Sequence, residues 1–333
     1  MKVSVVVPCY RSELTLPALV EGLHTVLGAG AEGLVEDYEV VLVVDGSPDG
    51  TFAVAHALAT ASPRVRAVML RRNYGQHNAL LAGLARARHE VVVTMDDDLQ
   101  HRPDQLPTLL RPLLDPLVDL VYGVAVREEH GFWRSLASRS VKRGLALAGV
   151  ANADDVSALR AFRTDLRDGF PEAADAFASL DVLLSWTTVS VRRADVRMDQ
   201  REVGTSAYGL RRLVRHTLNM VTGYGTLPLK LVTYLGLVLG VVGVVLLLVT
   251  LWGYFTDTIT VTGFTTLASM IALFSAAQMV SVGVLGEYIG RLHFRSMQKP
   301  TYVVRTDTRQ EQPPTHQLAS DVARALRDPR PSA

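Results

Sequence analysis

Short apolar runs alternate with segments of helical spacing through the first third of the chain. Five runs rich in β-branched residues predict strands at residues 3–7, 39–44, 65–70, 90–95 and 117–122. The segments between them predict helices at residues 14–27, 51–61, 76–88 and 103–114. This β-α-β-α alternation is typical of a mostly parallel sheet with helices on both faces, so we expect an α/β fold.

Two long segments without charged residues follow in the last third of the chain. Residues 231–251 and 264–286 contain 21 and 23 residues, and as helices they would span about 31–35 Å, enough for a hydrocarbon core of about 30 Å. The connector 252–263 has no Lys or Arg, whereas basic residues flank the pair: Arg211, Arg212, Arg215, Lys230, Arg291, Arg295 and Lys299. This asymmetry predicts two transmembrane helices in the cell (inner) membrane, with the preceding domain and both termini in the cytoplasm.

The segments beside the predicted spans complete a domain plan. Residues 207–224 combine apolar positions near helical spacing with arginines, which predicts an amphipathic helix at the membrane interface; an ordinary surface helix is the alternative. The polar, proline-containing tail after Arg305 predicts disorder, with a short helix near residues 318–326. The plan is therefore a cytoplasmic domain (1–205), a juxtamembrane amphipathic helix (206–228), two transmembrane helices (229–290) and a cytoplasmic, partly disordered tail (291–333).

Two Gly-x-x-x-Gly spacings lie in the predicted spans. Gly236 and Gly240 form one, and Gly286 and Gly290 form the other. Such spacings allow close approach of helices in a membrane, so a homo-oligomer is one interpretation and chance spacing in a glycine-rich span is the other.

Composition excludes several classes of protein. The chain has 34 Lys and Arg against 33 Asp and Glu, and this near-zero balance excludes a globally basic nucleic-acid binder. Between residues 231 and 290 only Asp257 and Glu287 are charged, so nearly all charge lies in the soluble part. The single cysteine, Cys9, excludes an internal disulfide and a cysteine-rich metal site.

Polar residues follow four of the predicted strands, at residues 8–13, 45–50, 71–76 and 96–100. Because ligands of parallel sheets bind beyond the carboxyl ends of the strands, we expect these segments to form one cleft. Asp96, Asp97 and Asp98 are its strongest feature, and alternation along an extended strand end predicts Asp96 and Asp98 on one side and Asp97 opposite. Carboxylates suit Mg²⁺ or Mn²⁺ carried on substrate phosphates. A solvated acidic turn is the alternative, and it is disfavoured because the run ends a buried strand.

Seven short motifs occur in one order along the chain: Pro8-x-Tyr10, Asp45-Gly46-Ser47, Asn73-Tyr74-Gly75-Gln76-His77, Asp96-x-Asp98-Leu99-Gln100, Leu159-Arg160-Ala161-Phe162-Arg163, Arg201-x-x-Gly204-x-Ser206-x-Tyr208 and Leu285-Gly286-Glu287-Tyr288-Ile289-Gly290-Arg291. With them the chain resembles the family 2 glycosyltransferases of GT-A type. Within that family it is similar to the polyprenyl-phosphate sugar transferases, which include dolichol-phosphate mannose synthase, bactoprenol glucosyltransferases and undecaprenyl-phosphate aminoarabinose transferase. The resemblance runs from Val3 to about Val304.

The resemblance implies a GT-A (nucleotide-diphospho-sugar transferase) fold and a reaction. The reaction is inverting, metal-dependent transfer of a sugar from a nucleotide sugar, with a UDP-sugar favoured, to polyprenyl (undecaprenyl or decaprenyl) phosphate at the inner leaflet. The implied partners are the nucleotide-sugar donor, the lipid-phosphate acceptor and membrane lipid, with no nucleic acid. The acceptor phosphate is already anionic near neutral pH, so the chemistry requires alignment and charge stabilisation more than a strong base.

The same resemblance implies roles for individual residues. The implied ligands of Mg²⁺ or Mn²⁺ are Asp96, Asp98 and Gln100. The residues implied to bind the nucleotide sugar are Pro8, Tyr10, Asp45 and Asp96. The implied catalytic residues are Asp98, Arg127 and Arg201. Arg127, Arg139 and Arg201 lie at positions similar to those that contact the acceptor phosphate; solvated or lipid-facing charges are the alternative.

Two other functions compete with this interpretation. A processive polysaccharide synthase on the same fold would carry a Gln-x-x-Arg-Trp motif, which this chain lacks, and it would have more spans. A degenerate transferase acting as a membrane scaffold is suggested by Val44, Ala158 and Ala207, which depart from residues usual in the family. The intact Asp96-x-Asp98-Leu99-Gln100 motif favours the enzyme.

Overall fold

The computed structural model describes residues 1–125, 155–170, 179–198, 227–256, 263–297 and 300–309. These residues divide between two compact units. One is an α/β unit that contains Met1–Glu129, Asp154–Ser206 and the segment that starts at Pro300. The other contains the two long apolar helices.

The described residues of the α/β unit form one eight-stranded sheet. Its strands are β1 (Lys2–Cys9), β2 (Asp37–Val44), β3 (Val65–Leu70), β4 (Val91–Thr94), β5 (Leu120–Ala125), β6 (Arg160–Arg163), β7 (Val191–Val196) and β8 (Val304–Asp307). The spatial order is β7-β5-β6-β4-β1-β2-β3-β8. The central strands β4, β1, β2 and β3 are parallel, as are β5 and β7, whereas β6 and β8 pair antiparallel with their neighbours. This arrangement confirms the predicted mostly parallel sheet.

Helices cover both faces of this sheet. They are α1 (Leu16–Gly28), α2 (Thr51–Ala61), α3 (Gln76–Leu84), α4 (Leu106–Leu110) and α5 (Leu180–Thr187). Alternate residues of a strand point to opposite faces, so Val5 packs in the core under α1, α2 and α4, while Val6 packs in the core under α3 and α5. Both cores are apolar and fully buried at these positions, which explains why the strands are near-continuous Val and Leu runs.

The predicted helix at residues 103–114 is wrong in detail. Only Leu106–Leu110 is α-helical, and 3₁₀ turns at Pro103–Gln105 and Arg111–Leu114 flank it. Prolines at 103, 107 and 112 lack the N–H that continuous i→i−4 bonding requires, so the segment breaks into short turns. The pattern analysis also did not predict β6, β7, β8 or α5, whose sequences are short.

The edge strand β8 comes from the segment that follows the second long helix. It pairs antiparallel with β3. Asp307, at its end, is buried and accepts bonds from Arg66 Nε, Arg66 Nη2 and Arg86 Nε, each at 2.8 Å. The prediction of a mostly disordered tail after Arg305 therefore does not hold for residues 306–309, which belong to the sheet unit because the guanidiniums of Arg66 and Arg86 hold Asp307.

A second cluster of ion pairs lies beside β8. The buried carboxylate of Glu39 accepts bonds from the Ser4 hydroxyl at 2.9 Å, Arg88 Nε at 3.0 Å and Arg309 Nη1 at 2.6 Å. Ser4 and Glu39 lie near the amino ends of β1 and β2. These contacts therefore fasten the end of the sheet that is opposite the polar strand ends.

The second unit contains α6 (Leu227–Phe255) and α7 (Phe264–Ser296). They have 29 and 33 residues, or about 44 and 50 Å at 1.5 Å per residue. Leu229–Leu246 and Leu273–Gly290 have mean hydropathies of 2.3 and 1.2, and neither window is buried. Length and composition thus confirm two helices able to cross a membrane. The first continues to Phe255, past the predicted end of its span.

The predicted glycine pairs do not mediate contacts among the described residues. A Cβ built on Gly236, Gly240, Gly286 or Gly290 would meet nothing within 4 Å, whereas one on Gly243 would lie 3.7 Å from Phe274 Cζ of the neighbouring helix. The homo-oligomer therefore stays a prediction. The amphipathic helix predicted at residues 207–224 and the helix near residues 318–326 lie outside the described residues.

Candidate active site

A cleft lies at the carboxyl ends of β1, β2 and β4, three neighbouring parallel strands. A cavity of about 240 Å³ opens there, lined by Pro8, Cys9, Tyr10, Asp45, Asn73, Gly75, Gln76, Asp96, Asp97 and Asp98. A second cavity of about 500 Å³ shares Tyr10, Asp97 and Asp98 with the first and extends past Ser12 and Pro48. The fold therefore brings together Pro8, Tyr10, Asp45, Asp96 and Asp98, which sequence reasoning had selected from three separate strand ends.

Asp45 anchors the loop between β3 and α3. It is 3% exposed, and its two oxygens accept the N–H groups of Tyr74 and Gly75, each at 2.7 Å. Burial raises the pKa of Asp45, although these two amides and the charge of Arg72 oppose the rise. The next residue, Gly46, has φ +57°, and a Cβ there would lie 2.3 Å from the carbonyl carbon of Arg72, so only glycine fits. Asp45 thus shapes the cavity wall through the backbone of this loop.

The first two acids of the triplet turn toward different neighbours. Strand β4 ends at Thr94, so the acids lie in a loop and not on the extended strand end that the alternation argument assumed. Asp96 Oδ1 accepts a bond from Gln76 Nε2, on α3, at 2.6 Å. Asp97 Oδ2 accepts the N–H of Tyr10, in the loop after β1, at 3.0 Å. The acidic loop is therefore fastened from two sides of the cleft.

The third acid and Gln100 bond to each other through the backbone. Asp98 Oδ1 accepts the Gln100 N–H at 3.2 Å, and Leu99 between them has the left-handed φ of +62°. The Gln100 side chain is half-buried and does not line either of the two cavities, unlike Asp96 and Asp98. The structure thus brings two of the three predicted metal ligands to one cavity.

The donor atoms in this cavity suit a hard divalent cation. Asp96 and Asp98 offer carboxylate oxygens, which Mg²⁺ and Mn²⁺ prefer. In the described part of the chain, no group of three His, Cys, Asp or Glu side chains is arranged to hold a metal ion by itself. Mg²⁺ is usually held by one or two carboxylates together with substrate phosphates. The residues present therefore fit a cation that arrives with a phosphorylated ligand.

A buried ion pair lies next to the acidic loop. Arg160, on β6, and Asp181, at the start of α5, are 2% and 6% exposed and are paired. Arg160 Nε donates to Thr94 Oγ1 at 3.0 Å, and the Tyr122 hydroxyl donates to Asp181 Oδ1 at 3.1 Å. Although burial opposes the charged guanidinium, Asp181 raises the pKa of Arg160, and Asp96 adds to the effect. A permanent positive charge therefore acts on the acidic loop from within the core.

Sequence reasoning missed this pair. Arg160 was noted within a motif without a role, and Asp181 was not selected. The available signal was a charged residue inside each of two short apolar runs, 159–162 and 180–184, because a buried charge normally requires a partner. The arginines implied to contact an acceptor phosphate, Arg127, Arg139 and Arg201, lie outside the described residues.

The family of the chain follows from its sequence over this sheet. The profile described as "Glycosyl transferase family 2" matches residues 4–170, which is half of the chain and contains the whole cleft described above. The chain belongs to glycosyl transferase family 2. This membership confirms the enzyme class and the family that the motifs predicted, and with the observed sheet it confirms the GT-A fold.

Two curated relatives extend the similarity through the apolar helices. Both are named undecaprenyl-phosphate 4-deoxy-4-formamido-L-arabinose transferase, one from Enterobacter sp. (strain 638) and one from Sodalis glossinidius (strain morsitans). Each is 33% identical over 308 residues, which are 91% of this chain and 93% of the relative. The similar solved structures include glucosyl-3-phosphoglycerate synthase from Mycobacterium tuberculosis, in complex with Mn²⁺, UDP-glucose and phosphoglyceric acid. The two sequences are 21% identical, and the alignment covers 67% of this chain and 79% of the synthase, with a TM-score of 0.48.

Proposed function

We propose that this glycosyltransferase transfers a sugar from a nucleotide sugar, with a UDP-sugar favoured, to polyprenyl (undecaprenyl or decaprenyl) phosphate, with inversion at the anomeric carbon. One observation carries the proposal: the strand ends of a family 2 sheet gather Asp45, Asp96 and Asp98 around one cavity, in a chain that also contains two long apolar helices. The 33% identity to undecaprenyl-phosphate sugar transferases over 91% of the chain supports the lipid acceptor.

The donor would occupy the cavities on the two sides of Tyr10. Tyr10 is 43% exposed, so its ring offers an apolar face to a nucleobase. Pro8 and the loop held by Asp45 form the wall beside it. Asp96, Asp98 and Gln100 would hold Mg²⁺ or Mn²⁺, which when bound neutralises charge on the departing diphosphate.

The acceptor phosphate supplies the nucleophile in this proposal. One of its oxygens forms a bond to the anomeric carbon, while the bond from that carbon to the nucleoside diphosphate breaks on the opposite face. The acceptor oxygen carries negative charge at neutral pH, so no side chain has to remove a proton. Arg127, Arg139 and Arg201 would orient the acceptor phosphate against the sugar, because guanidiniums bind phosphate in fixed, bidentate geometry.

The membrane arrangement belongs to the same proposal. The two apolar helices would cross the cell membrane. Their basic flanking residues and the α/β unit would lie in the cytoplasm, where nucleotide sugars are available. Residues 206–228 would lie at the interface, next to the acceptor headgroup. A homo-oligomer of the spans is compatible with this arrangement.

A transfer assay on the detergent-solubilised full chain tests the proposal. The assay would supply undecaprenyl phosphate, Mg²⁺ or Mn²⁺, and a panel of UDP- and GDP-sugars, and would follow both nucleoside diphosphate and lipid-linked product. We expect release that requires both acceptor and metal with one UDP-sugar, and a product of inverted anomeric configuration. A folded protein that binds no nucleotide in the presence of metal and turns over no donor would favour the scaffold alternative.

Asp98→Ala tests the metal assignment within that assay. We expect transfer to be abolished while expression and membrane insertion remain, because one of two carboxylate ligands is lost. Asp104→Ala is the matched control, since Asp104 is a half-exposed acid that pairs with Arg102 outside both cavities. Transfer that persists in Asp98→Ala would contradict the assignment.

A further inference from the structure

The middle acid of the triplet makes contacts that a metal ligand would not need. Asp97 Oδ2 accepts the N–H of Tyr10 at 3.0 Å and also a short hydrogen bond from the hydroxyl of Ser12. Both donors belong to the loop that follows β1, whereas Asp97 belongs to the loop that follows β4. Since β1 and β4 are neighbours in the sheet, this carboxylate joins two adjacent loops of the cleft.

This carboxylate forms no salt bridge with a side chain in the described part of the chain. Asp97 accepts hydrogen bonds from neutral donors, and the charge of Asp98 repels it. Burying a carboxylate without a counter-charge is unfavourable unless strong hydrogen bonds compensate. The two bonds to Tyr10 and Ser12 therefore account for the orientation of Asp97, and they fix the loop that supplies them.

The joined loops contain strained backbone. Arg11 has φ +58° and Leu99 has φ +62°, left-handed values that side chains other than glycine adopt at a cost. The Arg11 N–H is held by Ser47 Oγ at 2.8 Å, in the loop after β2. A loop in this conformation needs such external bonds to keep its shape, and Asp97 supplies two of them beside Arg11.

The hydrogen bonds of Asp97 fix the backbone of Tyr10. Its backbone N–H donates to Asp97 Oδ2 and to Ser12 Oγ, each at 3.0 Å, and Tyr10 lines both cavities. We propose that Asp97 is a positioning residue that holds the Tyr10 wall of the donor cavity against the acidic loop, and so sets nucleotide affinity independently of the metal. This inference rests on the proposed function, because it takes the cavities as a nucleotide site.

Nucleotide binding with and without metal tests this role. UDP and GDP would be titrated into the full chain in detergent, in EDTA and in Mn²⁺. For Asp97→Asn we expect metal-free affinity for the better nucleotide to fall about tenfold, which corresponds to about 1.4 kcal/mol. The enhancement by Mn²⁺ should stay as in the wild type. In turnover, KM for the donor should rise while kcat changes little, a split that general misfolding would not produce.

Three further variants make the test specific. Asp98→Asn should show a different pattern, with the Mn²⁺ enhancement lost. Ser12→Ala removes the hydroxyl that donates to Asp97 and accepts the Tyr10 N–H, so it tests the same link between the loops if Asp97→Asn does not fold; we expect a several-fold weaker affinity. The double variant Asp97→Asn/Ser12→Ala should lose less affinity than the sum of the two single losses, because the two changes share the bond between Ser12 and Asp97.

Three outcomes decide the question. If the wild type binds nucleotide, and both Asp97→Asn and Ser12→Ala bind it with the same affinity, the positioning role is overturned and the proposed function stays intact. Loss of only the Mn²⁺ enhancement in Asp97→Asn would overturn it in favour of a metal ligand. Absence of binding of either nucleotide to the wild type, with or without Mn²⁺, would overturn the proposed function itself.

Discussion

Asp307→Asn should destabilise the α/β unit far more than its position near the end of the chain suggests. The substitution keeps the shape of the side chain but removes the charge that faces Arg66 and Arg86, whose side chains are 9% and 13% exposed. Removing one partner of a buried ion pair costs about 3–5 kcal/mol. We expect the lower end, about 3 kcal/mol, because each guanidinium retains one hydrogen bond in the variant. Arg66 Nη1 donates to the Arg86 carbonyl at 3.2 Å, and Arg86 Nη1 donates to the Ala82 carbonyl at 2.9 Å.

Thermal unfolding of the detergent-solubilised full chain measures this effect. A loss of about 3 kcal/mol lowers Tm by about 6–12 °C for a domain of roughly 150–250 residues. Activity at low temperature should persist, because neither Asp307 nor its partners Arg66 and Arg86 line either cavity. Asp104→Asn is the control: its pair with Arg102 is 46% and 48% exposed, so we expect a change of at most about 1 kcal/mol. A Tm for Asp307→Asn no lower than that of the control would refute the reasoning.

Two further predictions concern the metal and the pH. Gln76→Ala removes the 2.6 Å bond that orients Asp96, so the Mn²⁺ concentration for half-maximal activity should rise about tenfold; an unchanged metal titration would contradict this. Although burial opposes both shifts, the Arg88 N–H lowers the pKa of Glu39 and the Arg66 guanidinium lowers the pKa of Asp307. Each carboxylate therefore stabilises the fold at pH values above its unfolded pKa, and this stabilisation is lost as the pH falls through its folded pKa. We expect Tm to decrease when the pH is lowered below about 4, and to decrease less steeply in Asp307→Asn.

The sequence by itself determined the features that depend on local pattern. Runs of Val and Leu predicted the four parallel central strands, because a strand buried on both faces has no polar position to interrupt it. The charge-free lengths of the two long helices were equally local. The cleft was also predictable, since the carboxyl ends of parallel strands share one edge and Asp45, Asp96 and Asp98 each follow such an end.

Only the tertiary structure decided which groups meet across long separations. Asp307 and Arg66 are 241 residues apart, and no spacing rule relates them. The pairing of Arg160 with Asp181 depends on where α5 packs, and the direction of Asp97 depends on the loop after β1. The pattern of apolar and polar residues around a position indicates whether that position is buried. The partner of a buried polar residue depends on how elements distant in sequence pack against each other. For that reason the acids of the cleft were visible in the sequence, and the contacts that hold them in place were not.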